Sequence, residues 1–324
     1  MRVEIRTLAM PGMHEGSHGD SFRRPLSPGT NPCRRGTKLP ILNSMSTRIA
    51  VITGSSSGIG LLTAIELAKT GFRVVASMRD LGRRGRLEEA AAVAAVADKL
   101  DVRRLDVTEF STIGRFADEV IRQYGRIDVL VNNAGFAVAG FAEDVTLEEI
   151  RLQFETNFFG QVAMTQAVLP TMRQQHSGHI IMISSISGLH GALSVSSYSA
   201  AKFALEGWSE SLRLEVNTLG IKVVLVEPGS FQTDIWTRNA HLVQKALDGS
   251  SPNRERGAKM REMVQNLRKR DPVEVARVIA RIAQDPHPRL RYVVGRDAHM
   301  QLWLKRLLPW NWHEKLVARV AKID

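Results

Sequence analysis

From residue 48 onward, hydrophobic and polar positions along the chain follow two periods in turn. Short, nearly continuous apolar runs alternate with stretches whose apolar residues recur three and four apart. The pattern predicts strands over 48–53 (RIAVIT), 72–78, 102–105, 127–132 (IDVLVN), 179–184, 221–227 and 291–294. It predicts helices over 59–69, 85–97, 109–123, 147–174, 198–219 and 272–284, the fourth a single long helix with a bend. Apolar strands separated by helices indicate a parallel sheet covered on both faces. The expected fold class is therefore α/β, a single domain with a Rossmann-like doubly wound parallel sheet and helices on both faces. No repeat of 20–50 residues interrupts it.

The ends of the chain behave differently. Residues 1–44 are rich in Gly, Pro, Ser and Arg and have no apolar period, which predicts a disordered leader over 1–46. They lack the apolar core of a signal peptide, and Glu4, Glu15 and Asp20 argue against a transit peptide. Met45 is the expected natural start, because Met45-Ser-Thr-Arg-Ile opens the first strand directly. A catalytic domain is expected over 47–299. Within it, residues 234–271 form a substrate lid, with an amphipathic front (Ile235, Trp236, Leu242, Val243, Leu247) and a polar, mobile stretch over 250–256. Residues 300–324 read as one amphipathic helix, basic and rich in Trp. Three roles fit such a helix: packing on its own domain, lying on a membrane surface, or docking on a partner subunit.

Composition removes several classes of protein. With 324 residues, 44% hydrophobic and 24% charged, the chain is not disordered throughout, collagenous or a coiled coil. One cysteine, Cys33, excludes an internal disulfide framework and a cysteine metal cluster, and the default setting is a reducing, cytoplasmic one. The net charge is +11; residues 1–44 supply seven basic and three acidic side chains, hence +4 of it, leaving +7 elsewhere. No nucleic-acid-binding motif accompanies this excess, so a solvated basic surface is expected rather than a nucleic-acid partner. His176, His179 and His190 have no metal-ligand spacing, and no metal is expected.

The first strand-to-helix junction reads Thr53-Gly54-Ser55-Ser56-Ser57-Gly58-Ile59-Gly60. Glycines here let the backbone turn sharply and bring a helix N-terminus up to a pyrophosphate. No Lys-Ser/Thr follows, so this is not a P-loop. At the end of the second strand, an acid would bond a ribose 2′-hydroxyl, whereas an arginine accommodates a 2′-phosphate. The strand ends Met78-Arg79-Asp80; with Asp80 in the turn beyond, Arg79 favours NADP over NAD. Ser55 is a second candidate for the 2′-phosphate.

Thr53–Gly60 as T-G-x-x-x-G-I-G, Asn132-Asn133-Ala134-Gly135 and Tyr198-Ser-Ala-Ala-Lys202 occur in order. Together they resemble the short-chain dehydrogenase/reductase family in its compact branch, over about residues 47–295. Ketone reduction by hydride needs an acid for the nascent alkoxide, and the reverse reaction needs a base. Tyr198 is the candidate, and Lys202, one helical turn on, favours the phenolate and so is expected to lower its pKa. The resemblance implies that Lys202 also bonds the nicotinamide ribose. It further implies that Ser185 polarises the substrate carbonyl, with Ser184 and Ser187 as neighbours, and that Asn157 holds a water in the proton relay.

For the cofactor, the resemblance adds Asp106 at the adenine amino group with Val107 beside the ring. Asn133, Ala134 and Gly135 would line the adenosine, and Pro228, Gly229 and Thr233 the carboxamide. The cofactor set is thus Gly54, Ser55, Ser57, Gly58, Ile59, Gly60, Arg79, Asp106, Val107, Asn133, Ala134, Gly135, Tyr198, Lys202, Pro228, Gly229 and Thr233. Met78-Arg-Asp-Leu, the loop over 136–144 and Lys202-Phe-Ala-Leu-Glu-Gly207 resemble the 17β-hydroxysteroid and retinol dehydrogenase group. That implies a small hydrophobic alcohol or carbonyl as substrate, with a broad carbonyl reductase as the alternative. The helices near 150–174 and 198–219 are the family's usual oligomer interface, so a homodimer or tetramer is expected. A protein that senses NADP or scaffolds partners without turnover is the alternative from another class.

Overall fold

The computed structural model describes residues 47–267 and 269–321. The leader and Met45 lie outside the described residues. Seven strands form one parallel sheet: β1 (Ile49–Ile52), β2 (Arg73–Met78), β3 (Leu100–Arg104), β4 (Val129–Asn132), β5 (Gly178–Ile183), β6 (Ile221–Pro228) and β7 (Arg291–Val294). Their order is β3-β2-β1-β4-β5-β6-β7. The register sets Val51 between Val75 and Leu130, and Val131 beside Ile181.

Because strand side chains alternate, each apolar run supplies both faces. Ala50, Ile52, Val74, Val131, Ile181 and Val224 enter one core. Ile49, Val51, Val75, Leu130, Ile180 and Val223 enter the other. Helices α1 (Gly58–Lys69) and α2 (Gly85–Val93) cover the first face, and α3 (Phe110–Tyr124) lies on the second. The expected long helix is α4 (Leu147–Phe154) and α5 (Gly160–Gln175), joined by a π-type turn over Glu155–Phe159. A full capping box between Thr146 and Glu149 starts α4. Helix α6 (Ser196–Val216) joins α3 and α5 on the second face.

Three stretches depart from expectation. Ala137–Ala139 and Ala240–Leu242 pair as a small parallel sheet of their own. The stretch expected to be mobile is pinned: buried Ser251 donates to Asp144 Oδ2 at 2.7 Å, and buried Asn253 reaches the same carboxylate. It leads into α7 (Arg254–Asn266), a strongly polar helix, and then α8 (Val273–Ile282), which packs on α1. The tail is two helices, α9 (Arg296–Leu307) and α10 (Trp310–Ala321), separated at Leu308-Pro309 because proline cannot continue the ladder. Helix α9 starts before the expected boundary at 299 and buries Ala298 completely.

Strand order reverses between β1 and β4. In open α/β sheets the crevice beyond the carboxyl ends of strands at such a point is where ligands gather. The β1–α1 turn, the end of β4 and the end of β5 all open there.

Candidate active site

The glycine turn is held by the residues around it. Thr53 Oγ1 accepts from the amides of Asn133 (3.0 Å) and Ala134 (2.9 Å). The Asn133 side chain donates to the carbonyls of Thr53 (2.8 Å) and Gly54 (3.0 Å). Asn133 therefore braces the turn with its side-chain amide. Gly54 has φ +70°, and a Cβ there would sit 2.8 Å from the Ala134 Cα. A Cβ on Gly60 would lie 2.3 Å from Asn133 Nδ2 and 2.4 Å from the Gly54 carbonyl. Only glycine fits at either position.

At Gly58 (φ +56°), by contrast, the space outside is open as far as the Thr233 side chain 3.6 Å away. Ser57, the N-cap of α1, makes no side-chain capping bond, and the first turn has no acidic residue. The N–H groups of that helix end are thus uncapped by side chains, with a positive dipole end and a glycine cradle in front of them. An anionic pyrophosphate fits this arrangement. Ile59 packs inward against the first core.

At the adenosine end, β2 finishes at Met78, leaving Arg79 exposed, and Asp80 caps the following turn by accepting from the Gly82 amide. Arg79 Nε lies 3.9 Å from Asp106 Oδ2, so these two assigned residues meet. The other Asp106 oxygen accepts from the Thr108 amide and hydroxyl. Val107 is buried and fills the space where a side chain on Gly160 would go. Ser55 does not fit its expected role. It is fully buried, and its hydroxyl is turned to the Ile52 carbonyl, because the turn folds back on β1.

At the nicotinamide end, the Gly229 amide bonds the Val294 carbonyl. Asp297 Oδ2 accepts from the Ser230 amide at 2.7 Å, and the same carboxylate occupies the space of a Gly229 side chain. Asp297, on α9, thus supports the Pro228–Gly229 loop. Its place in the tail gave no signal for this.

Ser185, Tyr198 and Lys202 converge at the end of β5. Ser185 acts on the phenol of Tyr198 in the direction that favours the phenolate, and its hydroxyl accepts from the Ser187 amide at 3.1 Å. Lys202 Nζ donates to the Ile183 carbonyl at 2.7 Å and lies 5.8 Å from the Tyr198 ring centre. Burial pushes the Tyr198 pKa up to about 12, against the lowering effect of Ser185. The causes of this shift do not include Lys202, whose lowering effect was expected to act together with the positive charge of an oxidised nicotinamide. The same burial takes Lys202 down to about 8, with Glu206 acting to raise it.

The Asn157 side chain sits in the π-type turn and is engaged on both sides by one residue. It accepts from the Phe136 amide (3.1 Å) and donates to the Phe136 carbonyl (2.9 Å). Gln153 donates to the same carbonyl and accepts from the Val138 amide at 2.7 Å. The pair fixes the strand Ala137–Ala139 beside Tyr198. Such π-type turns are frequent at functional sites. Around the phenol the walls are apolar: Ala137, Val195, Ile235 and Trp236, the last edge-on to Tyr198 at 5.5 Å.

Behind Lys202 lies a cluster that sequence reading did not single out. Arg291 of β7 pairs with Glu206, with Glu227 at 2.6 Å and with Glu210 at 2.5 Å. Burial pushes Glu206 above the usual carboxylate range. It takes Glu227 up to about 7, helped by repulsion from Glu206 and opposed by Arg291.

A glycine turn at an uncapped helix end and a buried Ser–Tyr–Lys set, in one crevice of a doubly wound sheet, define a dinucleotide-dependent oxidoreductase. Comparison with known proteins agrees. Residues 48–242 match the family model described as short chain dehydrogenase. The chain is 40% identical over 278 residues to the uncharacterized oxidoreductase YusZ of Bacillus subtilis (strain 168), covering 85% of this chain and 99% of that one. It is 38% identical to retinol dehydrogenase 8 of Bos taurus, over 75% and 80% of the two chains. Among solved structures it is similar to a short-chain dehydrogenase from Streptomyces avermitilis, with TM-score 0.70 and 34% identity, covering 83% and 98%. A metagenomic short-chain oxidoreductase in complex with NADP gives TM-score 0.61 and 26% identity, covering 78% and 98%. The chain belongs to the short-chain dehydrogenase family. It is an oxidoreductase acting on CH–OH groups with NAD(P).

Proposed function

We propose that the protein interconverts a small hydrophobic alcohol and its carbonyl compound with NADP(H), in the manner of the hydroxysteroid and retinol dehydrogenase group. The observation that carries this reading is the buried Ser185–Tyr198–Lys202 set facing the apolar wall of Ala137, Ile235 and Trp236. Bound NADP(H) supplies the hydride chemistry at its nicotinamide. Gly58 and Ser57, at the start of α1, would hold the pyrophosphate. Arg79 would meet the 2′-phosphate, and the NADP complex of the metagenomic relative supports that choice.

The chain's own residues handle the proton. Ser185 donates to the substrate oxygen and polarises the carbonyl. Tyr198, protonated at neutral pH with its pKa near 12, gives its proton to that oxygen as the carbonyl carbon is reduced. Lys202 is cationic below about pH 8 and stabilises the phenolate left behind. Its bond to the Ile183 carbonyl uses one of three N–H donors and leaves two for ribose hydroxyls. Asn157 positions Phe136 and the wall strand next to it. Exposed Leu152, Phe159 and Leu214, on α4, the π-type turn and α6, support a homo-oligomer of two or four copies through these helices.

The test is consumption of NADPH and of NADH with retinoid and steroid carbonyls, run beside Tyr198→Phe. The expected result is NADPH-dependent turnover that the variant loses. Preference for NADH would overturn the role of Arg79. Full activity in the variant would overturn that of Tyr198.

A further inference from the structure

The two tail helices have different inner and outer sides. The inner side is tied to the domain at the mouth of the site. His190 Nε2 lies 2.8 Å from Gln301 Oε1, and Lys305 donates to the Leu189 carbonyl, so α9 holds the loop that runs from Ser185 to Tyr198. Helix α10 packs against α7 of the lid segment and buries Ala321.

The outer side is apolar and uncovered. Met300, Trp303 and Leu307 are spaced i, i+3, i+7 on α9, and Trp312, Leu316 and Val320 are spaced i, i+4, i+8 on α10. At about 100° per residue, each trio forms a single stripe. All six are exposed, Trp303 by 63% and Trp312 by 66%. Of the 17 exposed large hydrophobic side chains among the described residues, seven lie in this short tail, so the patch is a concentration and not ordinary scatter.

The charges beside the stripes indicate what covers them. On α10, Lys315 and Arg319 fall along one border of the Trp312–Val320 stripe. On α9, Arg306 borders the Met300–Leu307 stripe and Arg296 continues its line one turn before Met300. Residues 296–321 hold five basic side chains and two acidic ones, a surplus of three. Of the two acids, Asp297 is turned inward to the Ser230 amide. A second copy paired on this face would set these cations against their own images. An anionic lipid surface instead receives Trp at the headgroup level and Lys/Arg at the phosphates. Among the described residues no helix is long and apolar enough to cross a membrane.

We propose that α9 and α10 form a monotopic docking face for anionic membranes. It borders the substrate mouth, so that an apolar substrate reaches Tyr198 from the bilayer. The second half of this rests on the proposed hydrophobic substrate; the docking itself does not.

The experiment is flotation of the full chain with phosphatidylcholine vesicles, with and without phosphatidylserine. Turnover of a water-soluble aldehyde with NADPH is measured in parallel. The chain is expected to float with the phosphatidylserine vesicles alone. Lys315→Glu with Arg319→Glu should weaken binding by at least about 25-fold, roughly fivefold per charge removed. Trp303→Ala with Trp312→Ala should abolish it at unchanged charge. Both variants should keep soluble-aldehyde turnover, which shows that they are folded. No flotation, or equal flotation of wild type and both variants, overturns the proposal. A fall in oligomeric mass in the tryptophan variant, without vesicle binding by the wild type, overturns it in favour of a second copy. Flotation without turnover of any carbonyl leaves the docking face standing and removes the proposed substrate.

Discussion

Replacing Arg291 by methionine removes the cation that the buried carboxylates Glu206 and Glu227 both contact. Breaking a buried pair on one side typically costs about 3–5 kcal/mol, because the remaining charge has no partner. Arg291 is 30% exposed, which points to the lower end, about 3 kcal/mol at pH 8. The sign of the pH dependence follows from the carboxyls. Glu227 in the folded protein has its pKa raised from 4.5 to about 7, so its contribution is fully present below pH 4.5 and is lost as pH rises through 7. Without Arg291, both carboxyls rise further. The variant must then lose more stability than wild type between pH 5 and pH 8. At pH 5 Glu227 holds its proton, and the loss shrinks towards that of hydrogen bonds, about 1 kcal/mol. Urea unfolding at the two pH values measures this. A loss equal at pH 5 and pH 8, or smaller than about 1 kcal/mol at pH 8, would refute the electrostatic account of the cluster.

Gly60→Ala should lower stability by about 2 kcal/mol or more, since its Cβ meets Asn133 and the Gly54 carbonyl at under 2.5 Å; thermal unfolding with and without NADPH reads both the stability and the binding loss. Tyr198→Phe should lower kcat by about 10²–10⁴-fold while NADPH affinity, followed by fluorescence titration, stays within twofold. In wild type, reductive kcat should fall as pH rises through about 8, where Lys202 gives up its proton, and a flat profile from pH 7 to 9.5 would contradict the role given to that charge. Ser251→Ala leaves the buried Asp144 carboxylate with Asn253 alone at 3.4 Å, and limited proteolysis should cut between residues 244 and 267 faster than in wild type.

The inner sheet strands were legible because a strand buried on both faces must be apolar at almost every position, and β1, β4 and β6 are. The catalytic set was legible for a related reason: Tyr198 and Lys202 are one helical turn apart in sequence, so local geometry alone joins them. Long-range polar contacts were not. The pairing of Ala137–Ala139 with Ala240–Leu242 spans about a hundred residues and leaves no period in three-residue strands. Helix α7 has a strongly polar sequence and gains its start from Ser251 and Asn253 meeting Asp144, a partner far back in the chain. Asp297 and Arg291 belong to the same class. Each reads as an ordinary surface charge until the fold brings it to the loop or the carboxylates it holds. The Ser55 assignment failed because a motif position fixes the backbone of a turn, not the direction of a hydroxyl.

The brace around the glycine turn has a kinetic consequence. Thr53 and Asn133 make four hydrogen bonds across the crevice, between β1 and the end of β4, and none of them involves the site's open side. The turn is thus held by the folded sheet before any nucleotide arrives. Little loop entropy is lost on binding, so affinity reflects contacts made rather than order imposed. Nucleotide capture then follows encounter without a preceding rearrangement at the pyrophosphate.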